Sequence, residues 1–156
     1  MDEIGMSWRN KIVWSEGLFL RPQHFQQETR YLEHFVETRS GNLRPYAWGF
    51  TELKVDADLL RIGKLGIASA RGVLPDGTPF EIPGEDIVPT PLEIAEDVRD
   101  CTVYLALPVR RPGSQDTASK SDAEAMPRHV IRDFEGRDGT TSVDSPALLQ
   151  VGSLNT

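Results

Sequence analysis

The hydrophobic pattern of the chain changes period after its first quarter. Between residues 22 and 40, Phe25, Leu32, Phe35 and Val36 stand at offsets 0, 7, 10 and 11. That is one face of a 3.6-residue period, with Gln, Glu and Arg on the other. Pro22 suits a first helical turn, where its missing N–H costs nothing. Ser40, Gly41 and Asn42 predict a left-handed stop. The spacing predicts an amphipathic helix over 22–40, whose stripe must lie on a sheet or on a partner chain.

Beyond the helix the period falls towards two. Tyr46, Trp48 and Phe50 alternate with small residues and predict a half-buried strand that continues through Leu53 and Val55. Residues 65–74 and 78–82 flank Pro75-Asp76-Gly77, where Pro sets φ and Gly accepts positive φ, so a hairpin is expected. Residues 102–109 (TVYLALPV) predict the strongest strand, with Val103, Leu105 and Leu107 on one side and Tyr104 and Ala106 on the other. Residues 129–134 and 147–151 read as further strands. Residues 112–127 hold no bulky aliphatic or aromatic side chain apart from Met126. Such a stretch buries too little to offset its ordering entropy, and a mobile loop inside the domain is expected. About seven short strands joined by turn signals point to a mainly β fold, a β-sandwich with one N-terminal amphipathic helix. The expected organisation is an arm over 1–21 and a sandwich domain over 22–156.

Composition narrows the function. The 156 residues carry 24 acids against 17 Lys and Arg, a net charge of −7. Six of the acids (Glu85, Asp86, Glu93, Glu96, Asp97 and Asp100) fall between 85 and 100, where a solvated loop is expected. With no basic cluster, neither nucleic acid nor an anionic membrane surface is a suitable partner. No apolar run approaches the roughly 20 residues that span a bilayer. Asp2 and Glu3 follow Met1 where a secretory signal would carry a basic region. The lone Cys101 excludes an internal disulfide and a cysteine-based metal cluster, and a reducing cytoplasm is the expected location. At a strand start, Cys101 reads as a small buried residue rather than a nucleophile.

Catalytic signatures are missing. The chain has no G-x-S-x-G, Walker loop, G-x-G-x-x-G or H-E-x-x-H. His24 and Glu28 share a helix face, but His34 is rotated away from them, and zinc usually takes three protein ligands or more. Asp133 with Glu135, and Asp56 with Asp58, read as surface acids. No catalytic residue, cofactor or metal is assigned, and the chain is not expected to be an enzyme.

The arm stands out instead. Residues 6–25 hold Trp8, Ile12, Val13, Trp14, Leu18, Phe19, Leu20 and Phe25, but Ser15, Gly17 and Pro22 break any long helix. An aromatic-rich extended arm either packs on its own domain or anchors an interface, because Trp and Phe are enriched at interface cores. The candidate anchors are Trp8, Trp14, Leu18, Phe19, Leu20 and Phe25. A second reading is a carbohydrate-binding sandwich using Tyr46, Trp48 and Glu52, which rests on fold analogy.

The run from Lys11 to Gln27, KIVWSEGLFLRPQHFQQ, resembles the N-terminal signature of the TssK family, baseplate subunits of the bacterial type VI secretion system. Tyr46-Ala47-Trp48-Gly49-Phe50 and Leu74-Pro75-Asp76-Gly77-Thr78-Pro79-Phe80 are similar to that family's pattern as well. The likeness covers residues 8–82 clearly and the remainder loosely. Family members are several times longer, so the chain is similar to their N-terminal third. The resemblance implies a β-sandwich like the shoulder domain of tailed-phage receptor-binding proteins. It also implies a non-catalytic cytoplasmic adaptor that is trimeric at full length. Its N-terminal shoulder would dock the TssF and TssG subunits. Contact with the TssL/TssM membrane complex would come from regions beyond this chain.

Overall fold

A computed structural model describes residues 9–111, 113–119, 126–140 and 146–156. In chain order the elements are α1 (Pro22–Gly41), β1 (Gly49–Val55), α2 (Ala57–Arg61), β2 (Lys64–Leu65), β3 (Ile67–Val73), β4 (Pro79–Ile82), β5 (Leu92–Glu93), β6 (Thr117–Ala118), β7 (His129–Gly136) and β8 (Ala147–Leu154). The fold is mainly β, with one long helix. The chain divides into two units, residues 1–49 with 73–78, and residues 50–72 with 79–156.

The first unit is built on α1. Pro22 occupies its first turn, as the sequence predicts. Its end differs from expectation. Asn42 is right-handed (φ −78°), and its side-chain amide donates to the Thr38 carbonyl at 2.7 Å. A side chain thus satisfies an orphan carbonyl that a left-handed glycine would otherwise have left to a backbone donor. The turn from Leu74 to Thr78 belongs to the same unit. Gly77 (φ +83°) donates to the Leu74 carbonyl, and Leu74 donates to Thr78 at 2.8 Å. This is a tight turn closed by a left-handed glycine, the hairpin that Pro-Asp-Gly predicts. Tyr46 corrects the expected strand start: it sits at φ +57°, so its alternation with Trp48 and Phe50 is not strand alternation. The ladder begins only at Gly49.

The second unit holds three small sheets, in the orders β1-β3-β4, β2-β5 and β6-β7-β8. Thr51 Oγ1 donates to the Arg71 carbonyl, and the Asp56 N–H to the Gly66 carbonyl, so β1 and β3 run antiparallel. Arg71 pairs with Glu81 across β3 and β4. This register places Gly72 between Phe50 and Phe80, whose rings meet edge-on at 5.6 Å. Phe80 and Ile82 are buried with Ala70, Ala118, Val130 and Leu154.

Helix α2 was not signalled by periodicity. It is short and depends on Asp56, whose carboxylate caps the N–H groups of Asp58 and Leu59. Strands β7 and β8 pair antiparallel from His129↔Leu154 to Gly136↔Ala147. Strand β6 lies within the expected loop of 112–127. It pairs parallel with β7 and buries Ala118, while 112 and 120–125 lie outside the described residues.

Three further expectations are corrected. Residues 102–109 enter no ladder among the described residues. Alternation selects the faces of a strand but supplies no partner. Cys101 is exposed rather than buried. Within the acidic stretch 85–100, Asp86 is buried rather than solvated, because two backbone N–H groups satisfy its carboxylate.

Candidate protein-docking site

The arm turns back on the start of α1. The Leu18 N–H donates to the Ser15 carbonyl at 3.2 Å, and Gly17 takes φ +80°. Positive φ at the third position of a four-residue turn requires glycine, so Gly17 sets the fold of the arm. The arm is thus bent rather than extended.

Polar contacts tie it to the helix. Gln27 Nε2 donates to the Asn10 carbonyl at 2.6 Å, and Arg30 Nη2 donates to Gln27 Oε1 at 2.9 Å. The Arg21 N–H donates to His24 Nδ1 at 3.0 Å, the reciprocal half of a capping box with histidine in place of glutamate. His24 is therefore a helix-start residue. Among the described residues no group of three or more His, Cys, Asp or Glu could hold a metal ion.

Trp14 lies over this junction. Its ring centroid is 6.2 Å from His24 and 6.3 Å from Phe25, both tilted. It nevertheless stays 47% exposed, with Phe25 at 57% and Phe19 at 79%. Leu20 is exposed and Leu18 half-buried. Trp8 lies outside the described residues. Five of the six predicted anchors thus flank one helix start.

The surface continues along α1. Leu32, Phe35 and Val36 are exposed, and no residue of the helix is buried. Tyr31 packs against Phe35 at 6.1 Å, and the Arg39 guanidinium lies 5.4 Å over the Phe35 ring. The helix thus forms with its apolar stripe uncovered. Sequence reasoning missed the roles of Gln27 and His24. The signal was a polar residue at the third helical position, which the usual Ser/Thr-x-x-Glu pattern does not include.

Elsewhere the chemistry is sparse. A shallow open cavity of about 250 Å³ is lined by Glu52, Ser69, Arg71, Glu81 and Ile82 among others, and offers a sugar no aromatic ring to stack on. Asp133 and Glu135 are exposed on β7. No helix among the described residues is long and apolar enough to cross a membrane.

Residues 24–156 match the bacterial type VI secretion family of EvfL, ImpJ and VasE. The chain is 53% identical over 148 residues to the type VI secretion system baseplate component TssK1 of Pseudomonas aeruginosa, covering 95% of this chain and 33% of that protein. A crystal structure of TssK is similar at a TM-score of 0.85 and 40% identity, covering 94% of this chain and 33% of that one. A chain of the TssK-TssF-TssG baseplate subcomplex, seen by cryo-electron microscopy, is similar at a TM-score of 0.75. At 22% identity over 94% of this chain and 49% of that one, it shares the fold alone. The chain spans about a third of the length of the curated relative it matches.

Proposed function

Because the chain belongs to the TssK family of type VI secretion proteins, we propose that it is the baseplate-facing part of a structural adaptor. Its arm and the start of α1 dock the TssF and TssG subunits. The observation that carries this reading is the apolar surface of Trp14, Phe19, Leu20 and Phe25, running onto a helix stripe that the chain leaves uncovered. Exposed patches of this kind mark protein contacts, and Trp is the residue most enriched among their strong anchors. The similarity of a chain from a TssK-TssF-TssG subcomplex supports the choice of partner. The role is non-catalytic and its setting cytoplasmic. The full-length protein is a trimer that reaches the TssL/TssM membrane complex through regions beyond these residues.

The test is co-purification of the chain with TssF and TssG, with the mass read by light scattering. A stable complex that weakens about tenfold or more on Trp14→Ala or Phe19→Ala, a loss above about 1.4 kcal/mol, is the expected result. A folded chain that forms no complex, or a complex indifferent to both substitutions, overturns the assignment of docking to the arm.

A further inference from the structure

Two residues fold the arm, and neither has an apolar side chain. The first is Gly17. Its φ of +80° closes the turn in which the Leu18 N–H donates to the Ser15 carbonyl at 3.2 Å. Beyond its chain neighbours, a Cβ added at Gly17 would meet nothing within 4 Å. The position is therefore glycine for its backbone angle and not for want of room. The second residue is Gln27, in the second turn of α1. Both ends of its amide are used: Nε2 donates to the Asn10 carbonyl at 2.6 Å, and Oε1 accepts from Arg30 Nη2 at 2.9 Å. These partners fix which way round the amide sits, since a carbonyl needs a donor and a guanidinium an acceptor.

The consequence falls on the apolar residues between them. A closed turn brings the Cα atoms of Ser15 and Leu18 within about 7 Å, against roughly 10 Å in an extended chain. The span from Trp14 to Phe19 shortens accordingly. Ile12 and Leu18 are half-buried, while Val13 is 82% and Phe19 79% exposed. The arm thus has an inner and an outer side, although residues 11–21 contain neither helix nor strand. Its order depends on the turn and on the Gln27 clamp rather than on a ladder.

We infer, on the reading that the arm docks TssF and TssG, that Gly17 and Gln27 are positioning residues for that docking. They hold the arm in its binding shape before the partner arrives and make no contact with the partner themselves. A preformed arm need not be ordered at the moment of binding, and apparent affinity scales with the fraction of chains whose arm is already competent. An alanine at 17 lowers that fraction about fivefold to thirtyfold, the factor equivalent to the left-handed penalty of a non-glycine residue. A glutamate at 27 keeps the Arg30 contact but sets an acceptor against the Asn10 carbonyl, which opens the clamp.

The test is the Kd of the 156-residue chain for a co-purified TssF–TssG complex, beside Gly17→Ala, Gly17→Asn, Gln27→Glu and Gln27→Met. Gly17→Ala should weaken binding about fivefold to thirtyfold. Gly17→Asn should weaken it less, because asparagine tolerates positive φ although its side chain is larger. A glycine needed only for room against the partner gives the reverse order, which overturns the inference. Gln27→Glu should weaken binding at least as much as Gln27→Met. Without any partner, each weakened variant should lose the nuclear Overhauser contacts of the Trp14 ring with His24 and Phe25. Its melting temperature should fall no further than that of Trp14→Ala. Weakened binding with those ring contacts intact overturns the inference. Full affinity in Gly17→Ala or in Gln27→Glu does so too, and leaves the docking of TssF and TssG standing. A folded parent chain that does not bind TssF–TssG removes the docking reading itself, and the positioning role with it.

Discussion

The carboxylate of Asp86 holds the backbone of Leu154: Oδ1 accepts the Leu154 N–H at 3.0 Å, and Oδ2 accepts the Glu81 N–H at 2.9 Å. One buried acid thus links the end of β4 to the end of β8. Neighbouring contacts reinforce the link, with Ser153 Oγ at 3.3 Å from the Glu85 carbonyl and Thr156 Oγ1 at 3.4 Å from that of Ile87.

Asp86→Asn keeps the volume but turns an amide NH₂ towards one of the two N–H groups. A buried donor then meets a donor, and the expected loss is about 1–3 kcal/mol of unfolding free energy. The midpoint of urea denaturation checks it. Asp86→Asn with an unchanged midpoint would mean that the clamp contributes nothing.

His129 makes the second unit sensitive to acid. Burial holds its pKa below the ordinary histidine value, and the charges of Arg128 and Arg110 push the same way against a weaker pull from Asp116. The unfolded chain therefore takes up a proton near pH 6.5 while the folded chain resists. The contribution to stability is complete above that pH and declines as pH falls towards the lower folded-state pKa. Urea midpoints at pH 8, 7, 6 and 5 should drop over the acidic half of that range. In His129→Asn the drop should be smaller, and an identical pH profile would refute the assignment.

Gly77 is expected to tolerate no side chain. Its φ of +83° disfavours any L-residue, and an added Cβ would stand 2.8 Å from the Cγ of Glu37. Since the Glu37 side chain can move aside, the backbone term dominates. Gly77→Ala should cost about 1–2 kcal/mol, read from thermal unfolding. Combining it with Glu37→Ala should recover only a minor part.

Phe19 separates docking from folding. It is 79% exposed, so Phe19→Ser should leave the melting temperature of the isolated chain within about 1 °C, as surface substitutions usually do. Trp14→Ala removes the ring that rests on His24 and Phe25 and should lower the melting temperature modestly. A larger thermal loss at Phe19 than at Trp14 would reverse this ranking.

Helix α1 and the hairpin at Pro75-Asp76-Gly77 were legible in the sequence because their signals are local. An apolar stripe, a proline at the helix start and a glycine in a turn act through near neighbours. Strands β7 and β8 were legible as short strands over 129–134 and 147–151. The arm's apolar run and its resemblance to the TssK family were also readable directly, since they reside in residue identity.

Other features required partners far along the chain. Tyr46 and Trp48 alternate as a strand does, yet Tyr46 is left-handed and the ladder starts at Gly49. Residues 102–109 have strand composition but no strand beside them among the described residues. Asp86 is one of six acids in its stretch and becomes buried only because Leu154, 68 residues later, and Glu81 present their N–H groups to it.

The sequence by itself determined the class of fold, the family and the place where apolar surface concentrates. Those depend on periodicity and residue chemistry within a few turns of chain. The tertiary structure decided which of those residues remain exposed: Phe19 outside at 79% and Trp14 half inside at 47%. Burial is a property of what folds against a residue, and hydrogen-bond satisfaction at an edge depends on whether another strand arrives.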